Sequence, residues 1–173
     1  MIKVGNKTVS GVRIAGVDNI SGISIFGKGC NDFDASNFTI AGQDYFQAAP
    51  SDLNYNYKLV THYPKYKYKE IKNKKVILSC DYYISGLVEN GRVIFSICTV
   101  SARTNPASRV VFKDYSIDTA GSGNWEIVFN DFEINPNSGT PNDDHYVSLV
   151  IYAYTGANSI VRLSNIKFEV YGL

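Results

Sequence analysis

From about Cys30 onward the chain reads as one strand-length segment after another, and no window carries a convincing 3.6-residue apolar period. The clearest segment is Val76–Ser85. Val76, Leu78, Cys80, Tyr82 and Ile84 alternate with Ile77, Ser79, Asp81 and Tyr83, so each set lines one face of a strand. With it stand Asn37–Ala48, Tyr55–Tyr63, Arg92–Val100, Arg109–Ile117, Asn124–Ile134, His145–Tyr154 and Ile160–Tyr171, which makes eight strands. Turn residues separate them. Glu89-Asn90-Gly91 holds an Asn-Gly hairpin signal, Ala120-Gly121-Ser122-Gly123 is a Gly-rich loop, and Asn135–Asp144 is a long one. This spacing predicts an all-β chain, an antiparallel eight-stranded β-sandwich of jelly-roll type. An immunoglobulin-like sandwich is the alternative, but the Cys…Trp…Cys spacing of antibody domains is absent.

Composition agrees. Aromatics make up 13% of the 173 residues, with 13 Tyr against one Trp, and charged residues only 19%. Tyr and β-branched side chains suit a pleated surface, while Gly and Asn supply turns. The net charge of +1 supplies no global field toward nucleic acid or an anionic membrane, so neither is an expected partner. The three cysteines, Cys30, Cys80 and Cys98, do not form a disulfide framework. Cys80 and Cys98 lie in apolar runs and read as small buried hydrophobes. No stretch reaches the roughly 20 apolar residues that cross a bilayer. The opening Met-Ile-Lys-Val-Gly lacks the apolar run of a secretory signal, so folding in a cytoplasm is expected.

Residues 1–29 have a different pattern. Gly5, Gly16 and Gly27 are spaced eleven apart, and Val9-Ser10-Gly11-Val12 recurs as Ile20-Ser21-Gly22-Ile23. A unit this short buries no core of its own and needs stacked neighbours, other chains or a larger body. We therefore expect an N-terminal β-repeat anchor over 1–29 and an independent domain over 30–173, with Gly27-Lys28-Gly29 as the hinge. The expected anchor residues are Val4, Gly5, Val9, Gly11, Val12, Gly16, Ile20, Gly22, Ile23 and Gly27.

Two resemblances follow. Lys72-Asn73-Lys74-Lys75-Val76-Ile77-Leu78-Ser79-Cys80-Asp81-Tyr82-Tyr83, Asp118–Trp125 and Ile160–Val170 resemble segments of jelly-roll carbohydrate-binding modules, a likeness that covers residues 30–173. In many such modules an Asp in the last strand helps hold a structural calcium. Here Ser164 and Asn165 stand at the comparable positions, so no cofactor is expected and a calcium is not supported. The opening Lys3-Val4-Gly5-Asn6-Lys7, with Val9-Ser10-Gly11-Val12, resembles the starts of tailed-bacteriophage structural proteins of tails, fibres and head decorations.

Candidate chemistry is sparse. His62 and His145 are the available imidazoles, and neither belongs to a nucleophile motif such as GxSxG. Asp131 and Glu133 share one strand face, but paired carboxylates are common by chance, and no catalytic residue is assigned. Asn142-Asp143-Asp144 reads as a polar turn before it reads as a set of calcium ligands. The basic run Tyr63–Lys75 reads as a lysine-protected edge strand, with anionic polymers as its alternative partner. Glycan binding is the stronger prospect, because sugar C–H faces stack on aromatic rings. The candidates are Tyr82, Trp125, Tyr152 and Tyr154. Tyr152 and Tyr154 share a face with Val150, while Ile151 and Ala153 face the other way. Cross-strand packing is the competing role for these tyrosines, and a place in the core or rim for Trp125.

The expectation is a non-enzymatic phage virion protein, made in the host cytoplasm and carried on the particle. It would attach through its repeat to other virion proteins and sister chains as a homo-oligomer, a trimer by comparison with fibre-like assemblies, and display a domain that binds polysaccharide. Two alternatives stand beside it: a purely architectural virion subunit, and a carbohydrate-binding accessory module of a cellular glycan-degrading system.

Overall fold

A strand buries one face when it lies in a single sheet and both when something covers its far side. The computed structural model describes residues 3–4, 7–8, 22–26, 33–41, 45–50, 57–106, 109–136 and 139–173. Its strands are β1 (Lys3–Val4), β2 (Lys7–Thr8), β3 (Ile23–Phe26), β4 (Phe33–Ser36), β5 (Thr39–Ala41), β6 (Tyr45–Ala48), β7 (Lys58–Thr61), β8 (Lys75–Ser85), β9 (Arg92–Val100), β10 (Arg109–Ile117), β11 (Gly121–Phe129), β12 (Tyr146–Tyr154) and β13 (Ile160–Tyr171). One helical turn, α1 (Tyr68–Ile71), interrupts them.

Apart from the β1–β2 pair, the strands form two antiparallel sheets. A five-stranded sheet has the order β10-β9-β12-β7-β4, and a six-stranded one β11-β8-β13-β6-β5 with β3 also on β13. The chain crosses between the layers from β8 to β9 and at every step from β10 to β13, while β9 and β10 pair within one sheet; the all-β antiparallel sandwich of jelly-roll type stands. The strand count differs because residues 33–48 make three short strands and β3 adds one more.

The core fills the gap between sheets. Val76, Leu78, Cys80 and Ile84 of β8 and Val161, Leu163, Phe168 and Val170 of β13 meet Phe95 and Ile97 of β9 and Leu149 and Ile151 of β12. The alternation within β8 is the one legible in the sequence. One end is plugged by aromatics around Phe132, whose ring lies 5.4 Å from Phe129, 5.7 Å from Phe168 and 6.4 Å from Tyr68. The buried Tyr68 hydroxyl accepts the Ile134 N–H at 3.1 Å, so α1 is tied to the loop after β11.

Several local expectations change. Asn90, at φ 63°, does turn the chain, and the Gly91 N–H bonds Val88 O at 2.9 Å. But β8 and β9 lie in different sheets, so this turn crosses between layers and closes no hairpin. Gly86 (φ 69°) begins that crossing, and a Cβ there would lie 2.9 Å from Asn158 O. Gly121–Gly123, expected as loop, extends β11 and pairs with Ile84, Tyr83 and Tyr82, with Gly123 lying beside the Tyr82 ring. The basic run is not an edge strand. It folds as α1 and its flanks, where Lys69 and Lys67 bond Asp144 at 2.7 and 3.3 Å and Lys72 reaches Asp143 at 3.9 Å. Lysines facing a carboxylate loop have a better local partner than an open edge.

Of the expected anchor residues, Val4 lies in β1, where it pairs with Lys7 of β2. Gly5, Val9, Gly11, Val12, Gly16, Ile20 and Gly27 lie outside the described residues. Ile23 begins β3, which pairs with β13 of the body. A Cβ at Gly22 would fall 2.7 Å from the Tyr171 ring, so the chain passes close against that ring and a larger residue there would make it shift. The last part of residues 1–29 thus contributes a strand to the sandwich.

Two measurements check this packing. Phe132→Ala should cost about 3–5 kcal/mol in urea denaturation, and Tyr68→Phe about 1 kcal/mol for the lost hydrogen bond; equal midpoints for both variants and the native chain would contradict the plugged end. Burial pushes the Cys80 and Cys98 thiols up to about 12. Neither should be alkylated by iodoacetamide at pH 8 in the native state, and both should be in guanidinium, as read by peptide mass.

Candidate functional site

The outer face of the five-stranded sheet, turned away from the core, is built mainly by β9 and β12. The register places Ser148, Val150, Tyr152 and Tyr154 of β12 opposite Cys98, Ser96, Ile94 and Arg92 of β9. On the next strand, Phe112, Asp114 and Ser116 of β10 continue the same rows. Val60, Ile94, Cys98, Val100, Val150 and Tyr152 are buried here as a second apolar cluster, with Tyr146 packed against it. Ordinary sandwiches leave such a face wet, so an apolar outer face with polar inserts is the first mark of a site.

Arg109 organises it. Its guanidinium lies 4.1 Å from the Phe112 ring centroid and 5.1 Å from that of Tyr152. Nη1 donates to the buried Ser96 hydroxyl at 2.8 Å and sits 3.7 Å from Asp114. Simple alternation would put Arg109 on the same side as Val111, toward the core. A bulge between Arg109 and Val111 inserts one residue and re-aims Arg109 outward. At one end the face is covered: Ser148 donates to Pro106 O at 3.1 Å, and Arg103 lies 5.6 Å over Tyr146. At the other end Arg92 lies 6.0 Å over Tyr154, and the face opens into a groove of about 520 Å³. Leu87, Glu89, Arg92, Ser116 and Asp118 are among its lining residues.

The four glycan candidates are divided between layers. Tyr152 and Tyr154 come together on this outer face. Trp125 of β11 stacks on Phe95 from inside, 4.4 Å between centroids, and Tyr82 packs against the main core from the inner face of β8. Arg109, Phe112, Asp114, Ser96 and Arg92 were not singled out from the sequence. The alternation Phe112, Asp114, Ser116 was a usable signal for β10, but the bulge concealed Arg109.

Elsewhere the candidate groups are spread out. His62 Nδ1 lies 2.9 Å from Asp34 on exposed surface, a base and an orienter with no nucleophile bonded to them among the described residues. Asp131 and Glu133 are exposed in the loop after β11, where Phe132 and Ile134 turn inward between them. At the last-strand positions where many such modules hold a calcium, the nearby carboxylate is already engaged by amides. Asp81 is the carboxylate opposite Ser164, and its two oxygens accept Asn165 Nδ2 at 2.5 Å and Asn124 Nδ2 at 3.1 Å. Those bonds, Asn165's first, hold its carboxyl below the usual range, with Lys167 adding to the effect. In the Asn142–Asp144 loop the carboxylates face lysines, and the hydrogen bond from Lys69, with that from Lys67, depresses Asp144. Among the described residues no three His, Cys, Asp or Glu side chains gather as a metal site.

No protein-family model matches this chain, and no curated protein does. Solved structures do resemble it. The family 11 carbohydrate-binding module of the cellulosomal cellulase Lic26A-Cel5E of Clostridium thermocellum is 16% identical with a TM-score of 0.55, over 90% of this chain and 97% of that one. The second N-terminal cellulose-binding domain of Cellulomonas fimi β-1,4-glucanase C is 15% identical with a TM-score of 0.53, over 91% and 99%. A family 4 module is 11% identical with a TM-score of 0.51, over 80% and 94%. The chain therefore has the fold of the jelly-roll carbohydrate-binding modules.

Proposed function

We propose that this chain is a non-catalytic glycan-binding protein that takes its ligand on the outer face of the five-stranded sheet, from Phe112 and Tyr152 to the groove beyond Tyr154. The observation that carries the reading is Arg109, lying on two aromatic rings and bonded to Ser96 on a face outside the core. A flat apolar base with a few fixed polar groups is what oligosaccharide binding requires. The fold neighbours support it: all three are named as binding modules or domains, and another family 11 structure holds a β-1,3-1,4-mixed-linked tetrasaccharide.

We further propose that the chain works as a tailed-phage virion subunit, joined through its N-terminal repeat to other virion proteins and sister chains, in three copies as in fibre-like assemblies. The eleven-residue repeat in residues 1–29 supports attachment. Many copies on one particle would turn weak single-site binding into avidity. A cellular carbohydrate-binding accessory module is the second reading, favoured by the near-complete cover of single modules, two of them named as parts of glycan-degrading enzymes.

Affinity electrophoresis against a polysaccharide panel tests the binding. Phe112→Ala removes an exposed ring and Tyr154→Ala the ring opposite Arg92 at the other end of the face, and each should weaken binding about tenfold, or ~1.4 kcal/mol, with an unchanged circular dichroism spectrum. A flat response from the native chain displayed at high valency would defeat the glycan reading. Removing residues 1–21 leaves β3 in place. It should give a folded monomer by native mass that keeps its ligand; retained oligomers would defeat the anchor.

A further inference from the structure

We propose that the ligand of this face is an acidic polysaccharide, recognised through the carboxylates of uronic-acid units. The inference rests on the glycan-binding reading above and names its substrate class. A neutral sugar docks by laying its C–H face on an open aromatic ring. On this face the rings already carry cations: Arg109 covers Phe112 and Tyr152, Arg92 covers Tyr154, and Arg103 covers Tyr146. What an incoming chain meets is guanidinium. Stacking fixes the plane of the group and leaves its N–H edge for acceptors, and a carboxylate is the planar acceptor that matches this fork with two parallel bonds. Arg109 has five N–H donors; Nη1 is engaged by Ser96 and lies near Asp114, the donor contacts that the described residues make to it.

The charges around the face agree. Lys58 stands in the Tyr152 row, adding a fourth cation to the three arginines. Facing them are Asp114, shared with Arg109, and Asp34, held by His62. Glu89 and Asp118 line the groove beside Arg92, placed to accept sugar hydroxyls beyond the charged contact. Tyr146 and Tyr154 are eight residues apart on β12, so the arginines over them span roughly 27 Å at about 3.4 Å per residue. That is a row suited to a polymer with repeated carboxylates, and it argues against a single charged sugar.

The test is affinity electrophoresis and titration calorimetry with polygalacturonate, alginate and hyaluronan, the same polymers after carboxyl reduction, and neutral mixed-linkage β-glucan. The proteins are the native chain, Arg109→Gln, Arg92→Gln and Lys167→Gln, the last on the opposite sheet. We expect at least one polyuronate to bind and its carboxyl-reduced form not to. Each arginine variant should lose about tenfold, the loss of one charge-assisted bond, and Lys167→Gln should lose nothing. Binding should fall steeply between about 0.05 and 0.5 M salt as charges are screened. If Arg109→Gln does not fold, the exposed Arg92→Gln carries the comparison. Equal binding of the reduced or neutral polymers overturns the acidic class and leaves glycan binding standing. Equal losses from Lys167→Gln and the arginine variants overturn it as diffuse charge. If no polymer binds, both readings fall.

Discussion

Burial on both faces of β9 and β12 is the constraint on which the rest of this molecule depends. Their inner residues, such as Phe95, Ile97, Leu149 and Ile151, close the sandwich, while Ile94, Cys98, Val100 and Val150 are buried on the far side. Polar groups on a doubly buried strand must find partners, because an unbonded buried hydroxyl costs about 1–3 kcal/mol. On the outer side they do: Ser96 takes Arg109, and Ser148 is bonded to Thr61 and to the Pro106 carbonyl, whereas the buried Thr99 hydroxyl of β9 has no hydrogen-bond partner among the described residues. The cover over the outer face is therefore polar and specific, and the site grows out of it.

The same requirement separates packing aromatics from surface aromatics. Trp125 and Tyr82 sit on the inner side, where the sheets converge, and their rings complete the core against Phe95 and its neighbours. Tyr152 and Tyr154 belong to a face with no second sheet, and arginine side chains fill that role over them. A long side chain that packs its stem and keeps its charged edge in water is a natural lid for such a surface. Cover and recognition are then performed by the same groups.

At the Phe132 end, the lysine-rich segment has a different task. α1 is too short to be stable alone. It is held by backbone bonds from Tyr68 N–H to His145 O and from Lys69 N–H to Asp143 O, and by the Tyr68 hydroxyl at Ile134. The lysines and Asp143-Asp144 meet because these bonds bring their loops together. The charge run serves the joining of loops, which is why its sign pattern resembled an edge strand or a polyanion site when seen without its partner.

The sequence by itself determined the strands, their alternation and the all-β class, since a period of two depends only on neighbours along the chain. It also determined that Val150, Tyr152 and Tyr154 share a face, and that Cys80 and Cys98 are buried. Tertiary structure alone decided which faces meet. Tyr82 and Tyr152 look alike in their strands, but one strand lies in each sheet, so their inward and outward senses differ. It decided that Asn90-Gly91 joins layers and closes no hairpin, because a turn signal specifies a reversal and not the strand that pairs after it. And it decided Arg109: one extra residue in a bulge, set by pairing with β9, turned a side chain that simple alternation would place inward into the centre of the outer face.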